Sequence, residues 1–147
     1  MEAIILIGIQ AVGKSTFYKH NFFKTHVRVN LDMLKTRHRE KLLLNACIEM
    51  KQAFVVDNTN PTKADRKRYI DLAKANNFQI TGYYLSSRVS EAIKRNNYRK
   101  GKEKIPERGI IATFSKLQRP DYSEGFNKLF HVKITPDSDF KITPWRI

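Results

Sequence analysis

The sequence predicts an α/β protein, a three-layer sandwich built around a central, mainly parallel β-sheet. Two observations carry that expectation. Short segments rich in β-branched and aromatic residues alternate with longer stretches that fit helical spacing. The first and third short segments, AIILI at Ala3–Ile7 and AFVVD at Ala53–Asp57, are apolar almost throughout. Strands with that composition are covered on both faces, which parallel sheets achieve by placing helices above and below.

The remaining strands are expected at Val27–Val29, Gln79–Leu85 and Leu129–Ile134. Helical segments fill the gaps: Gly13–Phe23, Leu31–Lys51, Thr62–Asn76, Ser87–Tyr98 and Pro106–Leu117. Pro106 suits a first helical turn, where its missing N–H costs nothing. The charged run Arg99–Lys104 contains Gly101 and cannot bury itself, so it reads as a mobile connection. The tail Thr135–Ile147, with two prolines and Trp145, is expected to pack as an irregular edge. At 147 residues, with 41% hydrophobic residues and no repeated unit, residues 1–147 are expected to form one domain.

Twenty-eight Lys and Arg against fourteen Asp and Glu give a formal charge of +14. A field of that sign gathers polyanions, although a basic surface also serves plain solubility. The N-terminus is too short and too acidic for a signal peptide or a membrane span, so a cytoplasmic protein without membrane association is expected. Cys47, the single cysteine, sits in an apolar series and is expected in the core. The four histidines, His20, His26, His38 and His131, show no metal-ligand spacing. No obligate protein partner is evident.

Function enters at Gly8-Ile9-Gln10-Ala11-Val12-Gly13-Lys14-Ser15, a full match to G-x-x-x-x-G-K-[ST]. It follows an apolar strand and precedes a helix candidate, the context in which the pattern binds phosphate. Gly8 and Gly13 let the backbone approach an oxyanion closely, and successive N–H groups then face it. Lys14 reaches the β- and γ-phosphates of a nucleoside triphosphate, and the Ser15 hydroxyl is the expected Mg²⁺ ligand. Thr16 either packs or contacts the α-phosphate. ATP and Mg²⁺ are therefore the expected cofactors, and the sandwich is expected to be P-loop kinase-like.

Asp57 ends the third strand, where a carboxylate either assists Mg²⁺ or makes an Asx turn with Thr59. Asp32 falls just past the second strand, at the edge where parallel sheets present ligands. It either accepts a proton from an attacking hydroxyl or merely complements a helix dipole. Lys35 lies one turn on, sharing a helix face with Asp32, as an intrahelical counter-charge or as a contact for an acceptor phosphate. The basic stretch Ser87–Arg108 suggests a helical lid around residues 88–108. Arg95 and Arg99, four apart on one predicted helix face, are the preferred arginines for the transferring phosphoryl, against the alternative of a solvated surface.

These segments together resemble the 5′-hydroxyl polynucleotide kinase family of P-loop phosphotransferases. The resemblance runs from Ile4 to Phe130 through GIQAVGKST at Gly8–Thr16, VNLDMLK at Val29–Lys35 and VVDNTNPTKADR at Val55–Arg66. It continues through KRNNYRKGKEKIP at Lys94–Pro106 and FSKLQRPDYSEGF at Phe114–Phe126. It implies Asp32 as general base, Lys14 and Ser15 on phosphates and Mg²⁺, and Arg95 or Arg99 as a lid arginine. Lys35 stands where that family carries Arg, and lysine keeps the charge but not the bidentate fork. The chain leaves no room for the phosphatase or ligase domains often fused to such kinases, so the kinase step alone is expected. The expected reaction is transfer of the ATP γ-phosphoryl to a 5′-hydroxyl end of DNA or RNA. The alternatives are a kinase of a small metabolite or nucleoside, and a nucleotide-dependent nucleic-acid-binding switch.

Overall fold

The computed structural model of the chain describes residues 1–86 and 88–146. In chain order the elements are β1 (Glu2–Ile7), α1 (Lys14–Asn21), β2 (Val27–Val29), α2 (Leu31–Leu34), α3 (Arg37–Met50) and β3 (Phe54–Val56). They continue with α4 (Lys63–Ala75), β4 (Gln79–Leu85), α5 (Val89–Asn97), α6 (Glu107–Lys116), β5 (Lys128–Ile134) and β6 (Phe140–Pro144). The strands form one sheet in the order β2-β3-β1-β4-β5-β6. Every neighbouring pair is parallel except β5–β6.

The apolar runs explain the layering. Along β1, Ala3, Ile5 and Ile7 join a cluster with Leu44 and Cys47 of α3 and Tyr69, Ile70 and Ala73 of α4. Ile4 and Leu6 point the other way, toward Phe17 of α1, Ala92 of α5 and Ile110 of α6. A strand covered on both faces has no solvent side, so its sequence shows no polar alternation. Each isoleucine buried this way contributes roughly 1.5–3 kcal/mol. Cys47 is fully buried, as expected. Among the described residues no helix is long and apolar enough to cross a membrane.

Three expectations are corrected. The segment Leu31–Lys51 is two helices, because Lys35 turns out of α2 at φ 75° and Thr36 starts α3 by accepting a bond from the Arg39 N–H. Lys35 therefore shares no helix face with Asp32. Arg99 likewise lies beyond the last residue of α5, so it and Arg95 are not a pair on one helix. The tail carries β6, whose antiparallel pairing with β5 runs from Phe130–Pro144 to Ile134–Phe140. The helix predicted from Ser87 begins at Val89, and Ser87 itself lies outside the described residues.

The charged Arg99–Lys104 connection is held at its base. The fully buried Asn96 side chain accepts the Ile105 N–H at 2.8 Å and donates to the Ile105 carbonyl. A 3-10 turn at Gly101–Glu103 fills the space between.

A second tie joins the turn after β3 to the segment before β5. Arg66 of α4 is fully buried and reaches Glu124 through Nε at 2.8 Å and Nη2 at 3.2 Å. Its Nη1 donates to the carbonyls of Asn60 and Pro61. Removing one partner strands the other charge in the interior. Glu124→Ala is expected to lose about 3–5 kcal/mol of stability. The check is urea unfolding, where the midpoint should fall with the slope unchanged.

Candidate active site

The site begins where β1 ends. A Cβ at Gly8 would sit 2.7 Å from the Leu85 carbonyl oxygen, so glycine is required there by close packing on β4. The Gly8 N–H donates to the Thr59 carbonyl at 3.0 Å, fixing the loop to the turn after β3. Ala11 at φ 64° and Gly13 at φ 93° then reverse the chain through left-handed conformations. Gly13 is the N-cap of α1 and offers no side-chain cap. The first N–H groups of α1 thus remain available to a bound anion.

Lys14 is only 9% exposed and folds across its own loop, its ammonium donating to the Gly8 carbonyl at 2.9 Å and the Ile9 carbonyl at 2.7 Å. Burial pulls its pKa from 10.5 down to about 8. Asp57 opposes that shift, Arg99 adds to it, and Asp32 opposes it. Three other residues singled out from the sequence therefore act on this one ammonium group.

Asp57, 2% exposed, follows β3. Its Oδ2 accepts from Ser15 Oγ at 2.9 Å and from Arg28 Nε at 2.8 Å, and Arg28 Nη2 also donates to Ser15 Oγ at 2.9 Å. The carboxylate engages the phosphate-binding loop, in place of the alternative turn with Thr59. Ser15 and Asp57 offer oxygens suited to Mg²⁺, a cation that keeps several waters and shares its shell with nucleotide phosphates. No cluster of three His, Cys, Asp or Glu side chains able to hold a metal occurs among the described residues. Thr16 is exposed in the first turn of α1 beside Ser15.

Asp32 is exposed in the first turn of α2, and the position of α2 is set by three asparagine contacts. Asn30 caps it by accepting the Met33 N–H at 2.9 Å, while its amide donates to the Asp57 carbonyl. Asn58 accepts the Leu31 N–H at 3.0 Å. Asn60, buried at φ 46°, donates to the Leu6 carbonyl at 2.8 Å and holds the turn against β1.

Arg95 is half-buried near the end of α5, and Arg99 is half-buried just after it, donating to the Glu103 carbonyl at 3.3 Å. Gln10 of the loop donates to Thr113 of α6 at 2.9 Å, so α6 and the loop are joined. The sequence reading missed Arg28, Asn30, Asn58 and Gln10. An arginine flanked by valines in a three-residue strand, and an asparagine three residues before Met33, were the available signals for Arg28 and Asn30.

Residues 4–120 match the family described as AAA domain. The chain is 30% identical over 146 residues to a bifunctional polynucleotide phosphatase/kinase of Schizosaccharomyces pombe, covering 97% of this chain and 36% of that protein. It is 29% identical over 137 residues to an L-seryl-tRNA(Sec) kinase of Methanococcus maripaludis, covering 80% of this chain and 52% of that protein. The chain thus spans about a third and about half the length of these relatives. In fold it is similar to a gluconokinase from Sinorhizobium meliloti, with a TM-score of 0.65, 16% identity and coverage of 90% of this chain and 82% of that one. With a loop that presents uncapped helix N–H groups and a buried lysine at the edge of a parallel sheet, the chain belongs to the AAA domain family.

Proposed function

We propose that the protein transfers the γ-phosphoryl of ATP to a 5′-hydroxyl end of DNA or RNA, with Asp32 as the general base. The observation that carries this reading is Asp32 itself, an exposed carboxylate on the first turn of α2 that acts electrostatically on Lys14. The formal charge of +14 favours a polyanionic acceptor, and the relative from Schizosaccharomyces pombe is named for acting on polynucleotides.

In this reading the loop N–H groups and Lys14 hold the β- and γ-phosphates. Asp32 accepts the proton of the acceptor hydroxyl as its oxygen bonds to the γ-phosphorus, and the bond to the ADP oxygen breaks. Arg99 or Arg95 neutralises charge on the transferring group. Lys35 supplies a point charge for a phosphate on the acceptor. Mg²⁺, held through Ser15 and Asp57, would supply further charge neutralisation. Asp32→Ala should lower kcat by about 10²–10⁴-fold and leave ATP binding intact. The measurement is labelled transfer from γ-labelled ATP to DNA, RNA and nucleoside acceptors, with the product identified. Near-normal transfer by D32A would sink the assignment.

A second reading follows from the seryl-tRNA(Sec) kinase relative: the acceptor hydroxyl is carried by an RNA but is not its 5′ end. Identification of the labelled atom separates the two.

The Lys14 ammonium gives a pH prediction. Its pKa of about 8 is below the 10.5 of a free lysine, so the cost of burying its charge is complete below about pH 8 and is relieved as pH rises toward 10.5. Bound phosphates favour the ammonium form and raise that pKa. ATP binding should then take up to one proton above about pH 8, and affinity should fall by up to about tenfold per pH unit there. Calorimetry at pH 9 in buffers of different ionisation heat should show that uptake, and at pH 7 should show no more than about a tenth of a proton from this group.

A further inference from the structure

Away from the loop and lid, the face of the sheet that carries α3 and α4 is open over β5 and β6. A cavity of about 410 Å³ lies there, lined by Arg119, His131, Thr143, Pro144, Trp145 and Arg146. Trp145 is half-buried and meets the Tyr84 ring edge-on at 5.4 Å. The Arg119 guanidinium carbon lies over the Trp145 ring, 4.8 Å from its centroid. Arg119 and Arg146 are both exposed, and neither is paired with a carboxylate among the described residues. A guanidinium held over an indole, with a second arginine one residue beyond, combines the two chemistries that bind single-stranded nucleic acid: a stacking platform and unpaired cations for the backbone.

A continuous set of contacts leads from the acceptor side of the site to this cavity. Leu31, beside Asp32, is bonded to Asn58. Three residues on, the Pro61 carbonyl accepts the Gln118 N–H at 2.7 Å, and the Gln118 side chain accepts the Lys63 N–H at 2.8 Å. Arg119 follows. Between β2 and β5 lie four ladder spacings, about 19 Å, a span that several nucleotides of single strand can cross.

We propose that the Arg119–Trp145–Arg146 cavity is a subsite for an internal nucleotide of a single-stranded acceptor, its base stacking on the Arg119–Trp145 platform and its phosphate meeting Arg146. The inference rests on the polynucleotide reading above. It assigns to the β5–β6 edge the task of distinguishing a polymer from a mononucleotide.

Trp145 is the only tryptophan of the chain, so its emission reports this cavity alone. An eight-residue oligothymidylate with a 5′-hydroxyl should quench that emission in the full-length protein at moderate salt, and thymidine 3′-phosphate should not. Arg119→Ala should lower the octamer-to-mononucleotide ratio of kcat/KM by about tenfold. A conservative Trp145→Phe variant should lower it less, because it keeps a ring in place. Unchanged emission on binding of the octamer, or a ratio within about twofold of wild type in R119A, would overturn the subsite. If no 5′-hydroxyl end is phosphorylated, the polynucleotide reading fails instead, and the emission of Trp145 still decides whether this cavity takes single strands.

Discussion

The Asp57 carboxylate, buried at the end of β3, is the point on which the rest of the site depends. Its Oδ2 gathers Ser15 from the phosphate-binding loop and Arg28 from β2. Its own N–H donates to Val29 at 2.8 Å, and its carbonyl receives the amide of Asn30, the cap of the helix that carries Asp32. A buried carboxylate needs a cation, and Arg28 supplies it here. The consequence is that Arg28 addresses the same two oxygens, on Ser15 and Asp57, that the proposed Mg²⁺ would take. Loss of Asp57 would release the loop, the strand edge and the acceptor-side helix together.

The cradle is assembled from positive charge held under strain. Lys14 is buried with its ammonium bonded to two carbonyls, and the charge of Arg99 adds to the cost. In the proposed reading a polyphosphate relieves that cost by adding negative charge to that of Asp57 and Asp32. α6 and the loop are not independent in this arrangement. The Gln10–Thr113 bond and the Asn96–Ile105 clamp transmit the position of α6 and the basic connection to the loop.

The fold by itself leaves the acceptor open. A gluconokinase shares the architecture at 16% identity, and the two curated relatives are named for acceptors of different kinds. Superfolds of this type carry many substrates on one phosphate-binding edge, so specificity belongs to the residues around that edge. In the proposed reading those are Asp32 and Lys35 on one side and Arg95 and Arg99 on the other. Lys35 illustrates how local geometry matters: at φ 75° it leaves the helix, so its side chain is placed by the α2–α3 turn and not by helical spacing from Asp32.

The sequence by itself determined what depends on near neighbours in the chain. β-Branched runs marked β1, β3 and β4, since strands buried on both faces need no pattern beyond apolarity. The spacing of Gly8, Gly13, Lys14 and Ser15 marked the phosphate-binding loop, because that chemistry is carried by consecutive backbone groups. Tertiary structure alone decided the rest. Arg28 reached Ser15 and Asp57 across thirteen and twenty-nine residues through the pairing of β2 with β3, a juxtaposition that no local window contains. The DNTN turn and the SEGF segment became one unit through Arg66 and Glu124, fifty-eight residues apart. The tail became β6 because β5 offered it an unpaired edge, and edge pairing is set by the partner strand more than by the segment's own propensity.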